Sequence, residues 1–379
     1  MKEYTPDLIR NIALIGHGNA GKTSFAEALL YASGMTNRLG KIEDSNTTSD
    51  FQPDEIERKI SISASLLHCE WKGIKLNIID TPGYSDFTGE VKCGLKITDT
   101  ALVFLKAVEG LEVGTEIVWE YTKEYNNGSV FILNKLDNEN ADYEKTINAA
   151  KERFGNDVFP IQFPVKQGLG FEEIVDVLRM KAFKYARDGR GKYTEIDIPA
   201  DLKSKADELH AQLIEKIAES DENLLNTYFE NGALTESEIK NGLRNAIRQR
   251  KIFPILCSSS THLIGIAAIM DFIADYCPNP QEMPEVKAIS VGSNVSQLLK
   301  FAPNGPPVMF IFKTLSESHL GELSFFRIYS GTVAPGLDLI NHSNGKAERL
   351  SQLYVLNGRE RKEVVKLYTG DIAAAVKLK

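Results

Sequence analysis

The chain of 379 residues is long enough for two or three domains of about 150 residues each. Hydrophobic residues make up 42% and charged residues 25%, which excludes a disordered or collagen-like protein. The 44 basic and 52 acidic residues give a net charge of −8, which excludes a uniformly basic nucleic-acid-binding surface. The sequence contains no apolar stretch that could span a bilayer and no secretory signal, so we expect a cytoplasmic protein without membrane contacts.

Strand and helix patterns alternate through roughly the first 160 residues. Apolar, β-rich runs predict core strands at residues 11–15, 75–79, 101–107, 129–133 and, much later, 252–256. Helical periodicity covers residues 23–31 and 115–125. This alternation predicts an α/β fold with a mostly parallel sheet and helices on both faces. A turn around Gly73 joins residues 63–70 to 75–79 and predicts one antiparallel edge strand.

The alternation is interrupted between about residues 162 and 250. Apolar residues from Leu202 to Ile217 repeat on one helical face, and Thr235 and Glu238 fit a capping box before another amphipathic run. We interpret this part as a mostly helical or α+β insert before the fifth core strand. The predicted first domain therefore covers residues 1–280.

A region rich in proline separates this domain from a second one, predicted at residues 281–379. Short β-rich runs at residues 308–314, 323–330, 337–341 and 348–356 are divided by glycines. This spacing predicts a β-barrel. The chain ends directly after the strand-like run 372–378, so we expect a second domain truncated at its C-terminal end, within a fragment of a longer protein.

A phosphate-binding motif follows the first predicted strand. Gly16-His17-Gly18-Asn19-Ala20-Gly21-Lys22-Thr23 matches GxxxxGK[ST], with Ser24 next in the helix. Glycines let backbone N–H groups close around phosphate oxygens, assisted by the helix N-terminus. Lys22 would neutralise the outer phosphates and Thr23 would bind Mg²⁺. The alternative is a glycine turn without a ligand.

Two further motifs follow core strands. In Asp80-Thr81-Pro82-Gly83, Asp80 can hold Mg²⁺ through water and the Gly83 N–H can meet a γ-phosphate, although the tetrapeptide alone is also an ordinary turn. In Asn134-Lys135-Leu136-Asp137, the Asp137 carboxylate can accept both N–H donors of guanine, while Asn134 and Lys135 support the base.

Ser259 and Ser260, after the fifth strand, would complete the guanine pocket through backbone N–H groups. Four motifs thus stand in order at the carboxyl ends of core strands, where open α/β sheets bind ligands. The sequence therefore predicts a site for GTP or GDP with Mg²⁺.

With these motifs, nearly the whole chain resembles the elongation factor G family of translational GTPases. The insert beginning Pro199-Ala200-Asp201-Leu202-Lys203, the segment Gly321-Glu322-Leu323-Ser324-Phe325-Phe326-Arg327-Ile328-Tyr329-Ser330-Gly331, and Gly370-Asp371-Ile372 carry the resemblance beyond the nucleotide motifs. The resemblance implies a P-loop GTPase domain, a monomer, and ribosomal RNA and proteins as partners. It also implies coupling of GTP hydrolysis to translocation or recycling, and three more domains after Lys379. Ribosomal protection proteins that confer tetracycline resistance share this architecture and are an alternative.

Several residues depart from the family pattern. Tyr84 stands where the family has the histidine that positions the attacking water. In Arg58-Lys59-Ile60-Ser61-Ile62, Ser61 retains a hydroxyl for Mg²⁺, whereas Lys59 replaces a glycine that is free to adopt positive φ. Asn19 replaces an aspartate, and Lys106 replaces a small or acidic residue. We interpret the chain as a divergent paralogue.

These departures bear on catalysis. The resemblance assigns it to Lys22, Gly83 and the position of Tyr84. The resemblance implies hydrolysis that is stimulated by the ribosome, and a tyrosine at this position predicts that the hydrolysis is slow. The alternative is a ribosome-binding factor gated by GTP, with slow or absent hydrolysis.

Overall fold

The structure, a computed structural model, describes residues 2–186, 189–290, 295–317 and 321–378. Met1 and Lys379, the first and last residues of the two predicted domains, lie outside these ranges. The strands of the N-terminal part are β1 (Ile9–Gly16), β2 (Ser65–Trp71), β3 (Ile74–Asp80), β4 (Thr100–Lys106), β5 (Gly128–Asn134), β6 (Val158–Pro160), β7 (Gln162–Pro164), β8 (Glu173–Asp176), β9 (Lys181–Tyr185), β10 (Tyr193–Ile196) and β11 (Phe253–Cys257).

Among the described residues, all the α-helices lie in this N-terminal part of the chain. They are α1 (Lys22–Ala32), α2 (Pro53–Arg58), α3 (Thr88–Lys96), α4 (Val113–Glu124), α5 (Tyr143–Phe154), α6 (Lys203–Glu219), α7 (Glu222–Asn231), α8 (Glu236–Arg248) and α9 (Ile266–Tyr276). Single 3₁₀ turns occupy Pro6–Leu8, Ser85–Phe87, Gly168–Gly170 and Pro280–Glu282. No helix within the described ranges combines the length and apolarity needed to cross a membrane.

Seven strands form the central sheet in the order β2-β3-β1-β4-β5-β11-β6. Every neighbouring pair is parallel except β2 and β3, which form a hairpin through Lys72 and Gly73 at φ 48° and 84°. All residues of β1, β4 and β5 are buried, as expected for a parallel sheet that is covered on both faces. The predicted α/β fold and its antiparallel edge strand are confirmed. Strand β6, with three residues, is too short to show a periodic signal.

The insert contains a sheet as well as helices. Strands β7 to β10 form an antiparallel sheet in the order β10-β9-β8-β7, and α6 to α8 follow it. The predicted capping box is present, because Glu238 N donates to Thr235 Oγ1 at 3.3 Å and Thr235 N donates to Glu238 Oε2 at 2.8 Å. The insert is therefore α+β. Its strands of three to five residues were not recognised in the sequence.

The C-terminal part is all β, as predicted for a β-barrel domain. Its strands are β12 (Val286–Ile289), β13 (Ser296–Leu299), β14 (Val308–Glu317), β15 (Gly321–Ser330), β16 (Thr332–Val333), β17 (Asp338–Ile340), β18 (Ala347–Arg349), β19 (Leu353–Asn357), β20 (Glu360–Val364), β21 (Leu367–Tyr368) and β22 (Ile372–Val376). Five of them form an antiparallel sheet in the order β14-β15-β22-β19-β20. The run at residues 348–356 divides into β18 and β19, and the charged strand β20 was not predicted.

Two buried ion pairs join the C-terminal part, here called the β-rich part (strands β12 to β22), to the central sheet. Lys75 Nζ lies 2.7 Å from Asp371 Oδ1, and Arg327 Nη2 lies 2.6 Å from Asp99 Oδ1. All four side chains are at most 4% exposed. Removing one partner of such a pair would leave a buried charge, which costs about 3–5 kcal/mol. These contacts fix the β-rich part against the central sheet.

Candidate nucleotide-binding site

The phosphate-binding motif forms the turn between β1 and α1. Asn19 and Gly21 adopt positive φ, 59° and 90°. A Cβ on Gly21 would lie 2.4 Å from Asn134 Nδ2, so the close approach of Asn134 also requires a glycine here. Because α1 begins at Lys22, the unpaired N–H groups of its first turn face the same side as this loop.

Lys22 is buried beneath the loop. Its ammonium donates to the carbonyl oxygens of Gly16 and His17, both at 3.0 Å. Burial lowers the pKa of Lys22 to about 8. A Cβ on Gly83 would lie 2.4 Å from Lys22 Nζ and 2.8 Å from Gly18 Cα, so only a glycine fits there. The turn after β3 therefore lies directly against the phosphate-binding loop.

The three predicted metal ligands lie together. Thr23 Oγ1 donates to Asp80 Oδ2 at 2.8 Å and lies 3.1 Å from Ser61 Oγ. Ser49, which the sequence analysis did not identify, donates through Oγ to the same Asp80 oxygen at 2.6 Å. Asp80 is 1% exposed, and its Oδ1 has no hydrogen-bond partner among the described residues.

Asp50 adds a second carboxylate that the sequence analysis missed. It is 6% exposed, and its Oδ1 also has no partner in the described ranges. Burial, together with the charge of Asp80, raises the pKa of Asp50 to about 7, and burial raises the pKa of Asp80 as well. Two buried carboxylates with unpaired oxygens beside three hydroxyls fit a hard divalent cation such as Mg²⁺. Asp50 stands outside every recognised motif and strand end, so only the fold reveals its place.

Lys59, which precedes Ser61 by two residues, ends helix α2. It adopts φ 55°, the left-handed region that favours glycine. The backbone turn that a family glycine would allow is thus made here by a lysine.

Asn134 connects the phosphate-binding loop to the predicted base pocket. Its Nδ2 donates to Ala20 O at 3.0 Å, and its Oδ1 accepts from Ser260 N and Ser260 Oγ, both at 3.1 Å. The side chain is 1% exposed. One amide therefore holds together the ends of three strands, β1, β5 and β11.

The predicted guanine-reading carboxylate lies at the rim of this pocket. Asp137 Oδ2 is 3.0 Å from Nδ1 of His262, a half-exposed residue that the sequence analysis did not identify. Lys135 adopts φ 64° between Asn134 and Asp137. His262 comes two residues after Ser260, and no sequence pattern ties it to the motif at Asp137.

Some predicted site residues have partners within the protein. Thr81 Oγ1 donates to Leu14 O at 2.6 Å and ties the end of β3 to β1. Ser259 and Ile264 exchange two backbone hydrogen bonds of 3.0 Å. His17 Nε2 lies 3.4 Å from Glu112 Oε1, and the same oxygen lies 2.9 Å from the buried Lys106 Nζ.

Tyr84 packs over the phosphate-binding loop. A Cβ on Gly18 would lie 3.2 Å from Cζ of the Tyr84 ring, which is tighter than ordinary contact. Tyr84 is 40% exposed. The ring therefore covers the loop where Gly18 has no side chain.

A cavity of about 360 Å³ extends from the phosphate-binding loop to Lys135, and its volume lies in the range typical of small-molecule sites. It is lined by the phosphate-binding loop, the metal-site region and the base-pocket region, including Gly18, Lys22, Thr23, Asp50, Ser61, Gly83, Tyr84, Lys135 and Thr261. Asp137 lies outside this cavity and, with His262, lines a second cavity of about 330 Å³. The phosphate and metal motifs thus share one cavity, to which the base motif contributes Lys135.

Known proteins match the chain throughout its length. Residues 7–279 match the family described as the elongation factor Tu GTP binding domain, and residues 306–379 match elongation factor G domain 2. The elongation factors G of Thermotoga maritima and Thermotoga neapolitana are each 35% identical over 373 residues, which are 98% of this chain and 54% of either relative. A crystal structure from Thermus thermophilus has a TM-score of 0.87 at 28% identity, covering 98% of this chain and 52% of that one. The chain spans about half the length of the curated relatives it matches.

Proposed function

Because the chain belongs to the elongation factor G family of translational GTPases, we propose that it binds GTP and GDP with Mg²⁺ and couples GTP hydrolysis to translocation or recycling of the ribosome. One observation carries the proposal: the phosphate-binding loop, the metal-site residues and Lys135 of the base motif line one cavity of nucleotide size. The chain would act as a monomer in the cytoplasm and bind ribosomal RNA and ribosomal proteins.

The residues divide into three proposed roles. The phosphates are bound by Lys22, Ser24 and the backbone N–H groups of residues 16–21, with the Gly83 N–H at the γ-phosphate. Mg²⁺ is held by Thr23 and Ser61, and by Asp80 through water, with Asp50 close by. The guanine base is bound by Lys135 and Asp137. Asn134, Ser259 and Ser260 hold the shape of the pocket, because the N–H groups of Ser259 and Ser260 donate to Ile264 O and Asn134 Oδ1. Mg²⁺ supplies charge stabilisation to the transferring phosphoryl group.

Guanine selectivity tests this proposal. In Asp137→Asn, a donor and an acceptor replace two acceptors, so one guanine N–H loses its partner. We expect GTP binding to weaken by at least about tenfold, which is about 1.4 kcal/mol, and binding of xanthosine triphosphate to improve. Titration calorimetry measures both, with Asp157→Asn, an exposed site, as the control. Unchanged GTP affinity in Asp137→Asn would remove the base-pocket assignment.

A second function, a GTP-gated ribosome ligand that hydrolyses slowly, is favoured by the position of Tyr84. A tyrosine carries its single hydroxyl beyond a longer ring, so it would hold a water in a different geometry from an imidazole. The ring also lies against the loop at Gly18. Single-turnover GTP hydrolysis with and without ribosomes separates the two functions, because only the first requires rapid stimulated turnover. The isolated chain should hydrolyse GTP little, and rapid multiple turnover by it alone would contradict both.

A further inference from the structure

Residues 48–64, here called the switch segment, carry three of the side chains around the proposed Mg²⁺ site, Ser49, Asp50 and Ser61. Its C-terminal end is held by one carboxylate of the segment itself, Glu55, and by one of helix α3, Glu90. Glu55 Oε1 accepts from the backbone N–H groups of Ile62 and Ser63, both at 3.1 Å, and Glu90 Oε2 accepts from Ala64 N at 2.6 Å. Ser61 is therefore followed directly by three anchored residues.

A lysine from the β-rich part contacts the same end. Lys313 Nζ donates to Ala64 O at 2.9 Å, lies 3.0 Å from Glu90 Oε2 and contacts Ser63 Oγ. Its side chain is 12% exposed. Strand β14 has a bulge between Ile311 and Lys313, and a bulge redirects the side chains of its strand. The ammonium thus closes a charged hydrogen-bond network around residues 63–64.

The other end of the switch segment also touches the β-rich part. Gly358, in the turn between β19 and β20, adopts φ 56°, and a Cβ there would lie 1.8 Å from Thr48 O. Its N–H donates to Leu66 O at 3.1 Å, and His68 N donates to Asn357 Oδ1 at 2.7 Å, so the turn is fixed on strand β2. The β-rich part therefore bonds to one end of the segment and packs against the other.

We infer that the β-rich part sets the geometry of the Mg²⁺ site, with Lys313 as a positioning residue that acts on Ser61 through residues 63–64. This inference rests on the proposed function, since it requires that the site take Mg²⁺ and a guanine nucleotide. Lys313 belongs to strand β14 of the β-rich part, and it contacts the switch segment at residues 63–64, which follow Ser61. Its loss should loosen the metal site and leave the phosphate-binding loop and the base pocket intact.

The test is the Mg²⁺ dependence of the release of fluorescent GDP from the chain. In Lys313→Met, the Mg²⁺ concentration that gives half of the maximal slowing of GDP release should rise by about tenfold, a typical size for coupling between sites. Release in EDTA should match wild type. Lys313→Arg, which keeps the charge and the donors, should restore most of the Mg²⁺ dependence. Lys346→Met removes an exposed lysine of the same part of the chain and serves as the matched control.

Two results would overturn the inference: a wild-type Mg²⁺ titration in Lys313→Met, or release that is faster by the same factor with and without Mg²⁺. If Lys313→Met does not fold, as judged by circular dichroism, Glu90→Gln replaces it. Glu90→Gln weakens the same network from helix α3, and the same two results would overturn the inference. Failure of the proposed function gives a different result, because wild type and Lys346→Met would then also lack Mg²⁺-dependent binding.

Discussion

Asn134 makes the contact between the phosphate-binding loop and the base pocket. In Asn134→Ala, three hydrogen bonds, to Ala20 O, Ser260 N and Ser260 Oγ, are lost from a fully buried position. At about 1 kcal/mol net per bond, the free energy of unfolding should fall by about 3 kcal/mol. For a chain of 379 residues, with an unfolding entropy of about 2.1 cal/mol/K per residue, that is a decrease in the unfolding midpoint of about 4 °C.

Differential scanning calorimetry of the chain measures this loss, and titration with GDP measures its consequence for binding. We expect weaker GDP binding as well, because the variant no longer holds the phosphate-binding loop at a fixed distance from the Ser260 loop. Asn140→Ala, at an exposed position nearby, should change neither quantity. A fall of less than about 1 kcal/mol, the contribution of one bond, would refute the reasoning that Asn134 ties these elements together.

Two further predictions follow from Tyr84 and His68. Tyr84→His should speed single-turnover GTP hydrolysis on the ribosome, and no gain over wild type would show that Tyr84 does not slow the reaction. Burial, with the charge of Lys75, lowers the pKa of His68 to about 4, while its Nδ1–H donates to Leu356 O at 2.8 Å. Because the unfolded histidine titrates near 6.5, the neutral form stabilises the fold above that pH, and this stability is lost as pH falls toward 4. Between about pH 7 and pH 5, His68 should lower the free energy of unfolding by about 2 kcal/mol. In urea unfolding, the free energy of His68→Gln should therefore fall by about 2 kcal/mol less than that of wild type over this range. An equal fall in the two proteins would contradict the prediction.

The central sheet was predictable because its strands are buried on both faces and consist of apolar runs. β1, β4 and β5 each differ from their predicted bounds by one or two residues at either end. The short strands of the insert and the charged strand β20 were not predictable, since their pairing partners, and not their own residues, make them strands. In β20, Glu360 to Glu363 are mostly exposed and carry no alternating apolar pattern.

The nucleotide motifs were predictable because each is a local sequence at the end of a strand. Asp50, Ser49 and His262 were not, because each enters the site from a loop whose course depends on tertiary contacts. Asp50, for example, is near Asp80 only because its segment folds back over α1, where Glu27 Oε1 accepts from Thr48 N at 2.6 Å. The role of Lys313 was even less predictable from the sequence, since this residue comes from the β-rich part of the chain.

The most direct test of the central claim, a guanine-specific and Mg²⁺-dependent nucleotide site, is calorimetric titration of the chain with GTP and with ATP, each in Mg²⁺ and in EDTA. A buried polar pocket rejects the wrong base strongly, so GTP should bind at least about 100-fold more tightly than ATP, and EDTA should weaken GTP binding. Equal binding of ATP and GTP, or GTP binding indifferent to Mg²⁺, would contradict the account.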